Sequence, residues 1–398
     1  MRLRLEQELE DFRDAIAGQA ARTVAPLAEE VDRVQSFSAG LWAAVRDLGL
    51  IRLPFGTEYG GEGGTVRAYT VASCEVARHC AVAALYPGTT IQVAMSILAH
   101  GTPNQIERFV PTIVAGDAPA AWAFTEPATG SDPRQITTRA IRHGDDWILS
   151  GSKQFISFSG QARVALVFAR TSDTALGAFL VDTSAAGWTT GPPSKVLSMG
   201  GTEARPVTLD EVAVPGDHLI GGIDAGFDVM VAGEAFGKVR AAAICVGIAR
   251  HALEEATRYA LTREHRGAPI GRKFPTLQAL LGSAAAGTLG AEALVLSCAD
   301  LVDRGESIAA EAASARLVAG RAAREAANAA MHVCGAYGVT RDLSAERLYR
   351  EAIFFDVAQG VSEIQQIIVA RELLADVTRR STSPRSSAVI AQGNRDVD

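Results

Sequence analysis

An α+β fold in three consecutive blocks, helical, strand-rich and helical again, is what this sequence predicts, and three observations predict it. From Leu5 to about Asp117, and again from about Asp224 to Asp376, apolar residues recur at i, i+3 and i+4, the period of a helix with one buried stripe. Between these blocks the apolar runs are short, often alternate, and are separated by Gly, Pro, Asp or Ser, as strands joined by turns require. The 398 residues are enough for roughly two or three domains with well-buried cores. The expected divisions are 1–118, 119–223 and 224–378, with 379–398 as a disordered tail.

In the first block Phe12, Ile16, Ala20 and Val24 form one stripe, and Leu41, Val45 and Leu48 another. The Gly-rich run Gly56–Gly64 interrupts them. No strand precedes it and no Lys-Ser/Thr follows it, so it reads as a turn rather than a phosphate cradle. In the second block Ala120–Phe124, Trp147–Leu149, Val164–Ala169, Ala178–Asp182 and Val207–Val212 are the expected strands, spaced closely enough for a small barrel or sandwich.

In the third block Ile244, Ile248 and Ala252 give a buried helix face, while Arg250, Glu254 and Arg258 are expected to form a solvent-facing, salt-paired stripe. Ala309–Ala330 is so rich in Ala that it predicts a strong helix able to approach its neighbours closely. The last helix is expected to begin at Ser362, with Gln365 completing a capping box, and to bury Ile364, Ile367, Ile368 and Leu374. Arg379–Asp398, polar with a single Pro, is expected to be disordered.

Composition narrows the function classes. With 48% hydrophobic residues, 21% charged and 38 Gly, the chain has an ordinary globular make-up. A net charge of −7, with no basic stretch long enough to follow a phosphate backbone, argues against a nucleic-acid partner. No uninterrupted run of about 18 apolar residues occurs, and Met1-Arg2-Leu3-Arg4 does not lead into a signal sequence, so no membrane partner and a cytoplasmic location are expected. The five cysteines are scattered and outside metal-ligand spacing, so no metal is expected. Cys74 and Cys80 are read as small packed residues in a reducing compartment.

Chemistry is expected at the turn Gln359-Gly360-Val361, within the stretch Arg350–Arg371, REAIFFDVAQGVSEIQQIIVAR. Here the chain resembles the acyl-CoA dehydrogenases, whose closing segment reads R-D-A-(x)6-E-G-T-S-x-I-Q-x-x-x-x-A-R. Arg350, Ala352, Gly360, Ser362, Ile364, Gln365, Ala370 and Arg371 fall into that pattern. Gln359 stands where the family has its catalytic Glu, and Val361 replaces a Thr whose hydroxyl would touch the cofactor. In the family the Glu removes the proton alpha to a thioester carbonyl while hydride leaves the beta carbon for flavin N5. A neutral amide has no titratable lone pair with which to do this.

Further stretches resemble the same family in the same order. Ala123–Asp132 is similar to T-E-P-x-x-G-S-D, which implies FAD contacts at Phe124, Thr125, Gly130 and Ser131 through backbone amides and short polar side chains. Leu149–Ser157 is similar to G-x-K-x-W-I-T/S, which implies Phe155 against the flavin ring and the Ser157 hydroxyl near N5. Leu197–Pro215 resembles the segment that closes the family's barrel. Ala235–Gly271 resembles a helix ending Y-A-x-x-R-x-x-F-G, which gives Arg263 the role of reaching the FAD diphosphate of a neighbouring subunit, although Arg266 replaces the Phe. Ala330–Gly338 resembles A-x-Q-x-x-G-G-x-G, with His332 for the Gln and Gly335 kept, a second-subunit contact to FAD.

Some branches of the family carry the base on the helix matching Phe236–Tyr259, but that position falls on Gly237 and is empty too. Glu234 and Asp356 are the nearest carboxylates in sequence, each with the simpler reading of a surface group. The resemblance implies an N-terminal helical domain, a middle β domain, a C-terminal four-helix bundle, FAD as cofactor, and a homodimer or homotetramer. It implies an FAD-dependent oxidoreductase acting on an acyl thioester of CoA or an acyl carrier protein, together with an electron acceptor. Small residues over Ala235–Ala243 are closer to the carrier-protein branch, which suggests a biosynthetic role in secondary metabolism. One alternative on the same scaffold is a monooxygenase fed reduced flavin by a partner reductase. The other is a non-catalytic flavin- or carrier-binding scaffold.

Overall fold

The structure is a computed structural model and describes residues 2–382. Seven helices come first: α1 Gln7–Thr23, α2 Ala28–Val34, α3 Ala39–Asp47, α4 Val66–His79, α5 Ala81–Leu85, α6 Gly88–His100 and α7 Pro103–Val114. Their starts follow local rules. Ser38 and Thr65 accept the amides of Leu41 and Ala68, and Thr102 and Gln105 form a reciprocal capping box at α7. Ile16 and Ala20 of α1, and Leu41 and Val45 of α3, are buried as their spacing predicts. Gly56–Gly64 is a tight turn in which a Cβ on Gly61 would meet the Phe55 carbonyl at 2.1 Å.

Eight strands follow: β1 Ala120–Ala123, β2 Arg139–His143, β3 Asp146–Ile156, β4 Val164–Arg170, β5 Leu176–Asp182, β6 Trp188–Thr190, β7 Arg205–Val214 and β8 Leu219–Ile220. They make one sheet in the order β6-β7-β3-β2-β4-β5-β8, with β1 parallel to β4. Ala121, Leu149, Val167, Phe179 and Val212 share the sheet's own core. Leu166 and Phe168 of β4 join the helical core instead. With both faces covered, β4 reads as the unbroken apolar run VALVFA. The sequence left out β2, β6 and β8 because β2 carries Arg139, Arg142 and His143 on exposed positions and the other two span three and two residues.

After the sheet come α8 Gly226–Thr262, the small hairpin β9 Glu264–His265 and β10 Ala268–Pro269, α9 Ile270–Lys273, α10 Pro275–Asp303, α11 Ala309–Cys334, α12 Ala345–Val357 and α13 Ser362–Thr382. The long members, α8, α10, α11 and α13, form the C-terminal bundle. Ala312, Ala315, Ala319, Ala323, Ala326 and Ala330 are all buried, so α11 lies close against its neighbours. Arg350 of α12 draws the three blocks together, with its Nη atoms 2.9 and 2.7 Å from the Asp32 carboxylate and one of them 3.2 Å from the Leu197 carbonyl.

Four expectations need correction. Arg250 is not a solvent-facing residue: it is 6% exposed and bonds Glu75 at 2.6 Å, because α4 and α10 cover that face of α8. The α13 stripe is not fully buried within one chain, since Ile367 and Leu374 are 44% and 67% exposed. The capping box at Ser362 is absent; the hydroxyl of this first helical residue turns back to the Asp356 carbonyl at 3.5 Å. Helix α13 continues through Arg379–Thr382, so the tail does not begin at 379; the rest of that expectation, 383–398, lies outside the described residues.

All five cysteines are free and buried. Two stretches, Ala81–His100 and Pro275–Asp303, are long and apolar enough by composition to cross a membrane, with 89% and 33% of their apolar windows buried inside the fold. The second carries Glu292, which turns inward to Arg13 at 3.6 Å and Arg250 at 3.9 Å.

Candidate functional site

Gln359 sits in a strained turn between α12 and α13. Its φ is +58°, a conformation that costs a side-chain-bearing residue about 1–2 kcal/mol, and Gly360 follows at +80°. Two buried side chains hold the turn. Arg316, lying over the Phe355 ring, donates to the Ala358 carbonyl at 2.9 Å, and Gln365 packs where a Cβ on Gly360 would fall, 2.4 Å from its Nε2.

That turn delivers Gln359 onto the contact between α6 and α8, where small residues let the two helices meet rung by rung. A Cβ on Gly233 would lie 2.5 Å from the Trp122 ring and 2.8 Å from Ser96 Oγ. A Cβ on Gly237 would lie 2.5 Å from Gln359 Oε1 and 3.5 Å from Gln92 Oε1. A Cβ on Gly88 would collide with the Arg240 guanidinium. The two positions at which the sequence sought a base, Gln359 and Gly237, therefore face each other. The Oε1 atoms of Gln92 and Gln359 are buried there without a donor.

A carboxylate lies one turn away, at Glu234. Glu234 accepts from Gln92 Nε2 at 3.2 Å, so Gln92 links it to the space above Gly237. Burial pushes the Glu234 carboxyl up from its ordinary range, opposed by Lys238 and Arg240 and by the nearby Gln92 and Trp122. Asp356, the other acidic candidate, is committed to an ion pair with Arg324.

The strand domain carries the next group of candidates. In the Ala123–Asp132 segment the glutamate is a structural clamp: Glu126 accepts from the amides and hydroxyls of Thr137 and Thr138 and from Lys153 Nζ at 2.9 Å. Burial alone would raise its carboxyl, but Lys153 and the threonine hydroxyls hold it at about 2. Lys153 is pushed down to about 8 by burial, partly offset by Glu126. The clamp fixes the loop that carries Phe124 and Thr125, both half-buried, and Gly130 and Ser131, both exposed: Lys153 Nζ donates to the Phe124 carbonyl at 3.3 Å, and Gln154 N to the Thr125 carbonyl at 2.8 Å. Next on β3, Phe155 has φ +58° and is 59% exposed, and Ser157 is half-buried.

A bulky aromatic held open in a strained conformation fits a planar ring system laid against it. Val361, directly after the Gln359 turn, is half-buried. The remaining cofactor candidates are not brought together with these. Arg263, which caps the end of α8, and His332 and Gly335, at the end of α11, are exposed. Their two helix ends are joined through the Tyr259–Tyr337 ring contact, 6.3 Å between centroids. Gly335, at φ +59° and ψ −130°, has a conformation that only glycine adopts readily.

Sequence reasoning missed Gln92, Ser96, Trp122 and Arg240. The Gly233/Gly237 pair, four apart on one helix face, was the available sign of a close approach there.

The three consecutive blocks, with Phe155 open on the strand domain and Gln359 meeting α6 and α8 at Gln92 and Gly237, are the architecture of a flavin-dependent oxidoreductase. The chain matches the family profiles described as acyl-CoA dehydrogenase N-terminal, middle and C-terminal domains over residues 6–117, 121–212 and 224–374. It belongs to the acyl-CoA dehydrogenase family, whose members bind FAD. It is 32% identical over 380 residues to a probable acyl-CoA dehydrogenase of Bacillus subtilis strain 168, covering 94% of this chain and 100% of that one. To the 3-(aryl)acrylate reductase of Clostridium sporogenes it is 31% identical, covering 89% and 95%. The solved butyryl-CoA dehydrogenase of Megasphaera elsdenii superposes with a TM-score of 0.90 at 27% identity, over 94% of this chain and 100% of that one.

Proposed function

We propose that the chain oxidises, or in reverse reduces, the Cα–Cβ bond of an acyl thioester carried on CoA or on an acyl carrier protein, with Glu234 in place of the family's usual base. Bound FAD supplies the two-electron acceptor for the hydride that leaves Cβ. The chain's own residues do the rest. Phe155 covers the ring and keeps water from it, and Ser157 offers a hydroxyl to it. Gln359 can donate its amide N–H to a substrate oxygen but cannot take a proton. Glu234, its carboxyl raised by burial and steadied by Gln92, takes the Cα proton.

The observation that carries this reading is the Gln92 bridge, which connects an ionisable carboxylate to the place where Gln359 and Gly237 face each other. Anaerobic titration of the FAD-loaded protein with CoA and carrier thioesters tests it by bleaching of the flavin. Glu234→Gln should slow bleaching about 10²–10⁴-fold with FAD still bound. An unchanged rate removes Glu234 from the mechanism, and no bleaching with any thioester removes the dehydrogenase reading.

One observation favours a second reading, an oxygenase supplied with reduced flavin by a partner: the Gln359 turn holds no proton acceptor. Substrate-dependent oxygen consumption with a reductase present, and none with thioesters alone, would select it. On either reading we place the enzyme in the cytoplasm as a dimer or tetramer. Arg263, His332 and Gly335 of one copy then complete the FAD site of another, and the open apolar face of α13 supplies contact area.

A further inference from the structure

Glu351 of α12 is 4% exposed, and its two carboxylate oxygens are treated differently. Oε1 lies 3.5 Å from Arg347, whereas Oε2 is buried with no hydrogen-bond partner among the described residues. Glu351 lines a cavity of about 10 Å³, the room that one water needs, together with Asp32 and Gln35 of the α2 end, Cys80 between α4 and α5, and the Gly200-Gly201 turn. The turn comes in as bare backbone. A Cβ on Gly200 would collide with Gln35 Oε1, and one on Gly201 would lie 2.8 Å from Val31. Gly200 N donates to Gln35 Oε1 at 3.1 Å, which fixes the turn against α2.

The charges say what suits the cavity. Asp32 and Glu346 both bind Arg350, and Glu351 has Arg347, so three carboxylates meet two guanidinium groups and one negative charge is left over. The Gly200-Gly201 turn brings no charge to the cavity. Burial, with Asp32 adding to it and Arg347 opposing, raises the Glu351 carboxyl to about 7, so a proton cancels that charge below neutrality and not above it. A divalent ion would over-balance one charge, and magnesium keeps waters for which the cavity has no room. Cys80, its thiol pushed up to about 12 by burial, offers no thiolate to a soft metal.

We propose that this cavity binds one dehydrated monovalent cation of water's size, potassium or ammonium, held by Glu351 Oε2 and by the remaining lone pairs of Asp32 and Gln35. Cation and proton compete for the same oxygen. The site lies where α2, the Gly200-Gly201 turn and α12 meet, so a bound ion strengthens the joint that Arg350 makes between the three blocks. It is independent of the reaction performed beside Gln359.

The test is melting of the FAD-loaded protein in potassium, ammonium, sodium and choline chloride at equal ionic strength. At about pH 8, potassium or ammonium should raise the melting temperature by at least about 2 °C over choline, and the smaller sodium ion by less. At about pH 5.5 the order should vanish, because a proton then occupies the Glu351 carboxylate. Glu351→Gln should lose the potassium and ammonium effects at the higher pH. Equal melting in all four salts, or an effect that persists at the lower pH or in Glu351→Gln, overturns the assignment. A response to only one of the two ions supports it and names the ligand. A second measurement needs no variant: in crystals soaked with rubidium chloride, an anomalous peak should stand between Glu351 and the Gly200-Gly201 turn. Density there without anomalous signal means that water fills the cavity, and the cation assignment falls. Should Glu351→Gln fail to fold, the rubidium peak and the pH dependence of the native protein decide.

Discussion

Gln359 Oε1 comes within 2.5 Å of where a Cβ on Gly237 would stand, so the two positions that the sequence resemblance marks for a base face each other, and neither carries a carboxylate. That geometry makes the two sites interchangeable. Gln359→Glu alone should change thioester oxidation little if Glu234 already takes the proton. Added to Glu234→Gln it should restore most of the lost rate, since it brings a carboxylate to the same place from the other side. Single-turnover flavin bleaching of the double variant checks this, and failure to rescue would mean that Glu234 acts structurally.

Phe155 combines a left-handed backbone with an open ring, and the two features predict opposite effects. Phe155→Gly relieves the backbone and removes the ring. The apoprotein should melt no lower than the native one, while FAD should bind about 2- to 10-fold more weakly, the loss of one aromatic contact of about 0.5–1.5 kcal/mol. Melting of the apoprotein and fluorescence titration with FAD measure the two arms.

Lys153→Met should destabilise the strand domain by about 3–5 kcal/mol, because it strands the Glu126 carboxylate in the core. The acid limb follows from the same pair. Glu126 titrates at about 2 when folded against an ordinary 4.5, so its contribution is complete above pH 4.5 and is lost as pH falls toward 2. Native protein should lose melting temperature across that window, and Glu126→Gln should show a flatter profile there from a lower starting point.

Glu351 has the opposite sign. Burial raises its carboxyl to about 7, with Arg347 at 3.5 Å only partly offsetting this and Asp32 adding to it. The folded chain therefore binds more protons than the unfolded one between pH 4.5 and 7, and stability falls as pH rises through that range. Glu351→Gln should remove the fall and raise stability at pH 8 by about 1–3 kcal/mol. A melting series of both proteins from pH 5 to 8 tests the sign.

Much of this was legible in the order of residues. Helical and alternating periodicities located the three blocks, and the Ala-rich run gave α11 its close packing. What escaped was set by partners far along the chain. Arg250 looks like a surface charge until Glu75 and Glu292 arrive from other helices. Ile367 and Leu374 keep the right spacing yet stand 44% and 67% exposed. At the site, the turn at Gln359 could be read from its motif, whereas Gln92 and Arg240 carry no motif and acquire meaning only when α6 and α8 are laid side by side. Glu126 reversed its expected neighbourhood: within a segment read for ligand contact, it holds the loop from behind.

Arg350 has a consequence for how substrate enters. One guanidinium grips Asp32 in the first block and the Leu197 carbonyl in the second while its own helix belongs to the third, so no block can swing away from the others without breaking that grip. Entry of a ligand beside Gln359 would then rely on local yielding of loops and side chains rather than on a swing of whole blocks.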